Sequence, residues 1–225
     1  MKVIGLGSTC YVKWLLNDTS YKKDTDIFDW MNSFEFEKVV DSINNGFNIF
    51  ENIIKSPLNV DIKSKNVYFN ELYHFRLPHE GDLIKSTETY KRRFERFLSY
   101  SNDTDNFLFI RLIHMGRYDI PAENLETNYS NDVYLKLKKY LPINSKILLI
   151  TDKKLSLNDK QKISTNFQII DNVILPDHVV YGDYIQHRKQ ILKYYNDMLN
   201  YVSNNFNNFD PNIAIDFVKN ENIGI

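Results

Sequence analysis

The chain opens with Lys2-Val3-Ile4-Gly5-Leu6-Gly7-Ser8-Thr9-Cys10, and its architecture follows from how these residues are taken. Val3, Ile4 and Leu6 form a short apolar run, as in a buried strand. Gly5 and Gly7 permit a sharp exit from it. Beyond Cys10, the only cysteine, Val12, Leu15 and Leu16 fall on one face of a helix with Trp14 beside them. A strand, a glycine turn and a helix in that order set Cys10 near a helix N-terminus. Free N–H groups and the positive end of the helix dipole favour a thiolate there.

Residues 18–26 are polar and read as a loop into Ile27-Phe28-Asp29-Trp30-Met31. A carboxylate between two aromatic residues suits a cap on backbone N–H groups at a turn. Asn32 with Glu35 three residues later has the form of a capping box, so a helix is expected from Asn32. Phe36, Val39, Val40 and Ile43 would be its apolar stripe and Gly46 its stop. Residues 67–75 suit one extended strand or two short ones. Ser86 or Thr87 is expected to cap a helix on which Tyr90, Phe94, Phe97 and Leu98 fall at helical spacing. Its other face, with Lys91, Arg92, Arg93 and Arg96, reads as solvated.

The second half alternates more cleanly. Residues 107–113 are an apolar run broken only by Arg111, as expected of a buried parallel strand. A helix from Asn131 or Asp132, a strand at 146–151 followed by Asp152, a strand at 167–175 bent at Asp171-Asn172, and a long helix from Asp183 complete the pattern. Beyond Asn204 the tail is expected to fray, with Ile213, Ile215, Phe217 and Val218 able to dock. The alternation predicts an α/β fold, a mainly parallel sheet flanked by helices, with residues 2–6 as an inner strand. We expect one domain over residues 1–205 and a tail over 206–225. In such sheets the functional crevice lies beyond the carboxyl ends of the strands. Cys10, His114 and Asp152 each follow a strand at that end.

Composition narrows the function. The 225 residues are 43% hydrophobic and 14% aromatic, enough for a substantial core. A formal net charge of -1 gives no electrostatic ground for expecting nucleic acid or an anionic membrane as partner. One cysteine excludes an internal disulfide framework, and with scattered histidines no metal site or other cofactor is expected. No basic-then-apolar leader and no apolar run of about 20 residues is present, so an intracellular, cytoplasmic location is expected.

Gly5-Leu6-Gly7-Ser8-Thr9-Cys10, Phe28-Asp29-Trp30, His74-Phe75, the helix with Arg92-Arg93, and Leu108-Phe109-Ile110-Arg111 together resemble a family of uncharacterised proteins of bacteria and large DNA viruses, described as papain-like cysteine peptidases. The resemblance covers roughly the first half of the chain. It implies Cys10 as nucleophile, His74 as base, Asp29 as the group orienting the histidine, a peptide or protein substrate, and a papain-like α+β fold as the alternative architecture. The alternating second half departs from that architecture. Strand-end topology points instead to His114 as base with Asp152 behind it. For the oxyanion, or for any bound anion, the turn of Gly7, Ser8 and Thr9 is the candidate.

Two other classes use the same residues. Gly5-x-Gly7-x-x-Cys10 is a degraded form of the glycine-rich turn that brings a phosphate to a helix N-terminus, with Asp24, Asp26 or Asp29 near the place of a ribose-binding acid. That would make a Rossmann-like nucleotide or nucleotide-sugar binding protein. The aromatic content also suits a non-catalytic protein-binding domain.

Overall fold

The computed structural model describes residues 1–8, 11–17, 19, 21, 24–55, 68–77, 82–113, 129–173 and 188–218. Four short apolar runs become the parallel sheet. They are β1 (Lys2–Gly5), β6 (Phe107–Ile113), β7 (Ser145–Thr151) and β8 (Phe167–Ile170), in the order β1-β6-β7-β8. All three pairings are parallel. Among the described strands β1 therefore stands at the edge, not inside as its apolar character suggested. A strand need not be central to be buried when other chain covers it. Here Asp29 of the 24–30 segment lies against Gly5.

A second, antiparallel sheet of order β2-β5-β4-β3 is built from very short strands: β2 (Asn32–Ser33), β3 (Ile53–Lys55), β4 (Tyr68–Asn70) and β5 (Phe75–Leu77). The mixed α/β class holds, and the 67–75 region resolves into the second of the expected alternatives, part of a hairpin. The helix expected from Asn32 begins instead at Phe36, as α2 (Phe36–Asn44). Asn32 and Ser33 are held extended by pairing with Arg76 and Phe75. Glu35 is extended as well and makes no side-chain cap. Helix α3 (Leu83–Ser99) starts earlier than expected because Asp82, not Ser86 or Thr87, caps it, its Oδ1 accepting from the N–H groups of Ile84 and Lys85 at 3.0 and 3.3 Å.

The alternation of β6 divides the core. Phe107, Phe109 and Ile113 face one side with Ile4, Leu6 and the aromatic residues Phe28, Phe36, Phe75 and Phe97. Phe28 is a hub there, meeting Phe47, Phe75 and Phe97 edge-on at 5.5 to 6.5 Å. This layer takes in α2, α3 and α4 (Asn131–Lys138). Leu108, Ile110 and Leu112 face the other side. They pack with α1 (Tyr11–Asn17), α6 (Arg188–Asn204) and α7 (Pro211–Val218), while α5 (Leu157–Lys162) connects β7 to β8. The tail docks as α7, with Ala214 and Val218 buried and Ile213 exposed. Asn172, at φ 61, bends the chain after β8 as expected. The expected start of α6 at Asp183 lies outside the described residues.

Candidate active site

Position 111 is on the face of β6 that looks toward the antiparallel sheet, where a charge has no water to solvate it. Arg111 is fully buried, and both of its terminal nitrogens are hydrogen-bonded, to two carbonyls and a hydroxyl. Nη1 donates to the Leu6 carbonyl and to Ser33 Oγ, both at 2.8 Å, and Nη2 donates to the Ser33 carbonyl at 2.8 Å. Its carbon sits 5.5 Å from the Phe36 ring centroid. Ser33 in turn grips the glycine turn. Its Oγ accepts from the Ser8 N–H at 2.8 Å, and its N–H donates to the Ser8 carbonyl at 3.0 Å.

Gly7 is required here on two counts. Its φ is +78, in the left-handed region, and a Cβ would run into Ser33 Oγ and stand 3.0 Å from Arg111 Nη1. Ser8 is also left-handed, at φ 86, a costly conformation for a residue with a side chain. The chain thus leaves β1 through two successive left-handed residues clamped from below. In the expected anion-binding turn of Gly7, Ser8 and Thr9, the Ser8 N–H donates to Ser33 Oγ. Thr9 and Cys10 lie outside the described residues.

Asp29 is buried beside the end of β1. Its Oδ2 accepts from the Asp26 N–H at 2.5 Å and lies 3.6 Å from Nζ of the buried Lys13 in α1. Lys13 also donates to the Asp24 carbonyl at 3.0 Å. The turn-capping reading of this carboxylate is therefore met. In the same 24–30 segment, Asp26 accepts from the Tyr100 hydroxyl at 3.0 Å and lies 3.8 Å from Arg96, which donates to the Thr25 carbonyl. Arg96 and Arg93, whose guanidinium lies 4.7 Å from the Tyr90 ring, are not on a purely solvated helix face.

His74 closes the turn between β4 and β5 at φ 54. That turn is held by buried Asn70, which donates to the carbonyls of Ile49 and Glu51 and accepts from the Tyr73 N–H at 2.8 Å. The His74 ring is stacked on Phe69, and its Nδ1 meets Glu35 Oε1 at 2.5 Å. The carboxylate on this histidine is thus Glu35, not Asp29. Both partners are about half exposed.

A family model described as putative papain-like cysteine peptidase (DUF1796) matches residues 1–153, well over half of the 225. The chain belongs to that family. No curated protein and no solved structure matches it. The papain-like match spans the Gly7 turn, the Glu35–His74 pair and Arg111, and ends just after β7. β8, α6 and α7 lie beyond it.

Of the other residues singled out, Asp152 follows β7 at the carboxyl end of the sheet and is half-buried. His114, His79, His178 and His187 lie outside the described residues. Among the described residues no group of three His, Cys, Asp or Glu side chains could hold a metal ion. No described helix is long and apolar enough to cross a membrane. The sequence marks neither Ser33 nor Glu35 as a functional residue, and marks Arg111 as a charge in an apolar run and the end of a family motif, without a role. A charge within a seven-residue apolar strand was the available signal for the last.

Proposed function

We propose that this protein is a cysteine peptidase, or a related thiol acyl-hydrolase, with Cys10 as nucleophile, His74 as base and Glu35 as the group that orients it. The observation that carries this is the linkage through Ser33. Its backbone is bonded to Ser8, two residues before Cys10, and it is paired with Phe75, the residue after His74. Paired strand positions lie about 5 Å apart, and two residues span at most about 7.6 Å. The short path from Ser8 through Ser33 to Phe75 supports pairing Cys10 with His74, although 64 positions separate them in sequence.

In this reading the Glu35 carboxylate holds His74 at Nδ1, and Nε2 takes the thiol proton. The thiolate sulfur attacks the acyl carbon, and the electron pair of the carbonyl moves onto oxygen, toward the Cys10 N–H. Collapse expels the amine, which receives its proton from Nε2. Water then attacks the thioester, gives a proton to His74, and releases the acid and the thiol. Arg111 and Ser33 touch no reacting atom and hold the turn in shape. Asp29 braces the base of the turn through Lys13 rather than acting on the histidine. Peptide or isopeptide bonds are the proposed substrates.

Iodoacetamide labelling with mass spectrometry, together with hydrolysis of a quenched fluorescent protein substrate, tests this. Selective modification of Cys10 and loss of hydrolysis in both Cys10→Ala and His74→Gln are the expected results. Hydrolysis undiminished in Cys10→Ala would exclude covalent cysteine catalysis. Undiminished hydrolysis in His74→Gln alone would transfer the base to another histidine, His114 first.

A further inference from the structure

The antiparallel sheet turns one face to the core and the other away from it. In the register Asn32↔Arg76, Arg76↔Phe69 and Phe69↔Ile54, one residue from each strand lies in a single row. Directly paired residues of antiparallel strands project to the same side. The neighbouring row contains Phe75 and Asn70, both at 0% exposure, and is therefore the inner one. The outer row is graded: Asn32 is buried, Arg76 and Phe69 are half-buried, and Ile54 is 41% exposed. The ring of His74 lies parallel to that of Phe69, at 15° and 6.3 Å between centroids. The proposed base thus stands on the outer face.

Arg76 is the informative member of the row. A half-buried guanidinium beside an aromatic ring ordinarily finds a carboxylate to share its donors. No described carboxylate lies within ion-pair distance of Arg76, and Glu35, the acid of this region, is taken up by His74. A half-buried cation with no carboxylate partner among the described residues, an aromatic ring and an aliphatic side chain are lined up next to the histidine.

Resting on the reading of His74 as base, we infer that this face receives the substrate chain and that Arg76 binds a substrate carboxylate, with an apolar substrate side chain covering Phe69 and Ile54. The dimensions agree. Strands lie about 4.8 Å apart, so Phe69 and Ile54 are about 5 and 10 Å from Arg76 along the row, while same-side residues of an extended peptide repeat every 6.8 Å or so. An acid over Arg76 sets the residue two positions away between the two apolar side chains. The substrate class is therefore an extended peptide with a carboxylate and an apolar residue at alternate positions. The carboxylate comes from an Asp or Glu side chain or from the chain terminus.

The test is binding of a positional-scanning set of fluorescein-labelled hexapeptides to full-length Cys10→Ala protein, read by anisotropy at low ionic strength. Glu is expected over Gln by about tenfold at one position, with an apolar residue selected two positions away. Arg76→Gln removes the acid preference, Arg76→Lys keeps it in weaker form, and Arg76→Glu turns it toward Lys and Arg. C-amidated peptides carrying Glu and free-acid peptides lacking it distinguish a side-chain from a terminal carboxylate. Equal binding of Glu and Gln peptides, an acid preference that survives in Arg76→Gln, or no binding by any peptide would overturn the inference. Binding is read without turnover, so an unreactive Cys10 would overturn the peptidase reading by a separate measurement.

Discussion

Ser33 accepts twice from Arg111, through its hydroxyl oxygen and through its carbonyl, both at 2.8 Å. One residue of the two-residue strand β2 thereby joins the parallel sheet, through β6, to the antiparallel sheet that carries His74. The same hydroxyl holds the Ser8 N–H. Both sheets and the glycine turn meet at a single side chain.

Replacing Arg111 by Met leaves the carbonyls of Leu6 and Ser33 buried without their donor. A loss of about 3–5 kcal/mol in urea unfolding is expected. Ser33→Ala should cost less, about 1–3 kcal/mol. The double variant should lose less than the sum of the two, because both remove the same hydrogen bond.

Gly7→Ala and Gly46→Ala form a controlled pair, since both positions are left-handed, at φ +78 and +75. A Cβ at Gly46 meets nothing within 4 Å, so only the backbone penalty of about 1 kcal/mol applies. At Gly7 the crowding against Ser33 and Arg111 adds about 1–3 kcal/mol. The difference between the two unfolding free energies isolates the clamp.

Glu35→Gln and Asp29→Asn should separate activity from stability. Glu35 is half exposed, so its substitution is expected to leave stability within about 0.5 kcal/mol while hydrolysis falls about tenfold or more. Asp29 is buried against Lys13, and neutralising it should cost about 3 kcal/mol. Thermal unfolding beside kcat for each variant checks both statements.

Burial, and then the Asp26 carboxylate that accepts its hydrogen bond, push the Tyr100 phenol well above its ordinary value of 10.0. Above pH 10 the unfolded chain releases this proton while the folded chain keeps it. The contribution is full below that pH and is lost as pH rises toward the folded value. Urea midpoints between neutral pH and about pH 11 should therefore fall at the alkaline end. In Tyr100→Phe the protein should be weaker by about 1 kcal/mol at neutral pH and decline less above pH 10.

The parallel sheet was legible because each strand is a continuous apolar run: Phe107–Ile113 is buried at every position, and the heart of Ser145–Thr151 is as well. The antiparallel sheet was not, because strands of two or three residues are too short to show a period of two. Glu35 was misassigned for a related reason. Asn-x-x-Glu is a local signal for a capped helix, whereas its actual partner, His74, is 39 residues away. Arg111 stood out as a charge in an apolar strand, but its partners lie 78 and 105 positions upstream and leave no mark on its neighbours.

The span between Leu6 and Arg111 bears on synthesis as well as on the finished protein. The Leu6 carbonyl, at the entry to the glycine turn, is held by a residue 105 positions later, and β1 is laid beside β6 across the same interval. Contacts of such long range form only after the intervening loop is closed, and parallel pairing comes late for that reason. A nascent chain that has not yet emerged beyond Ile113 cannot shape the turn at Gly7 and Ser8. In the proposed reading, the thiol chemistry therefore waits on the synthesis of β6, and a chain ending before Arg111 would lack it.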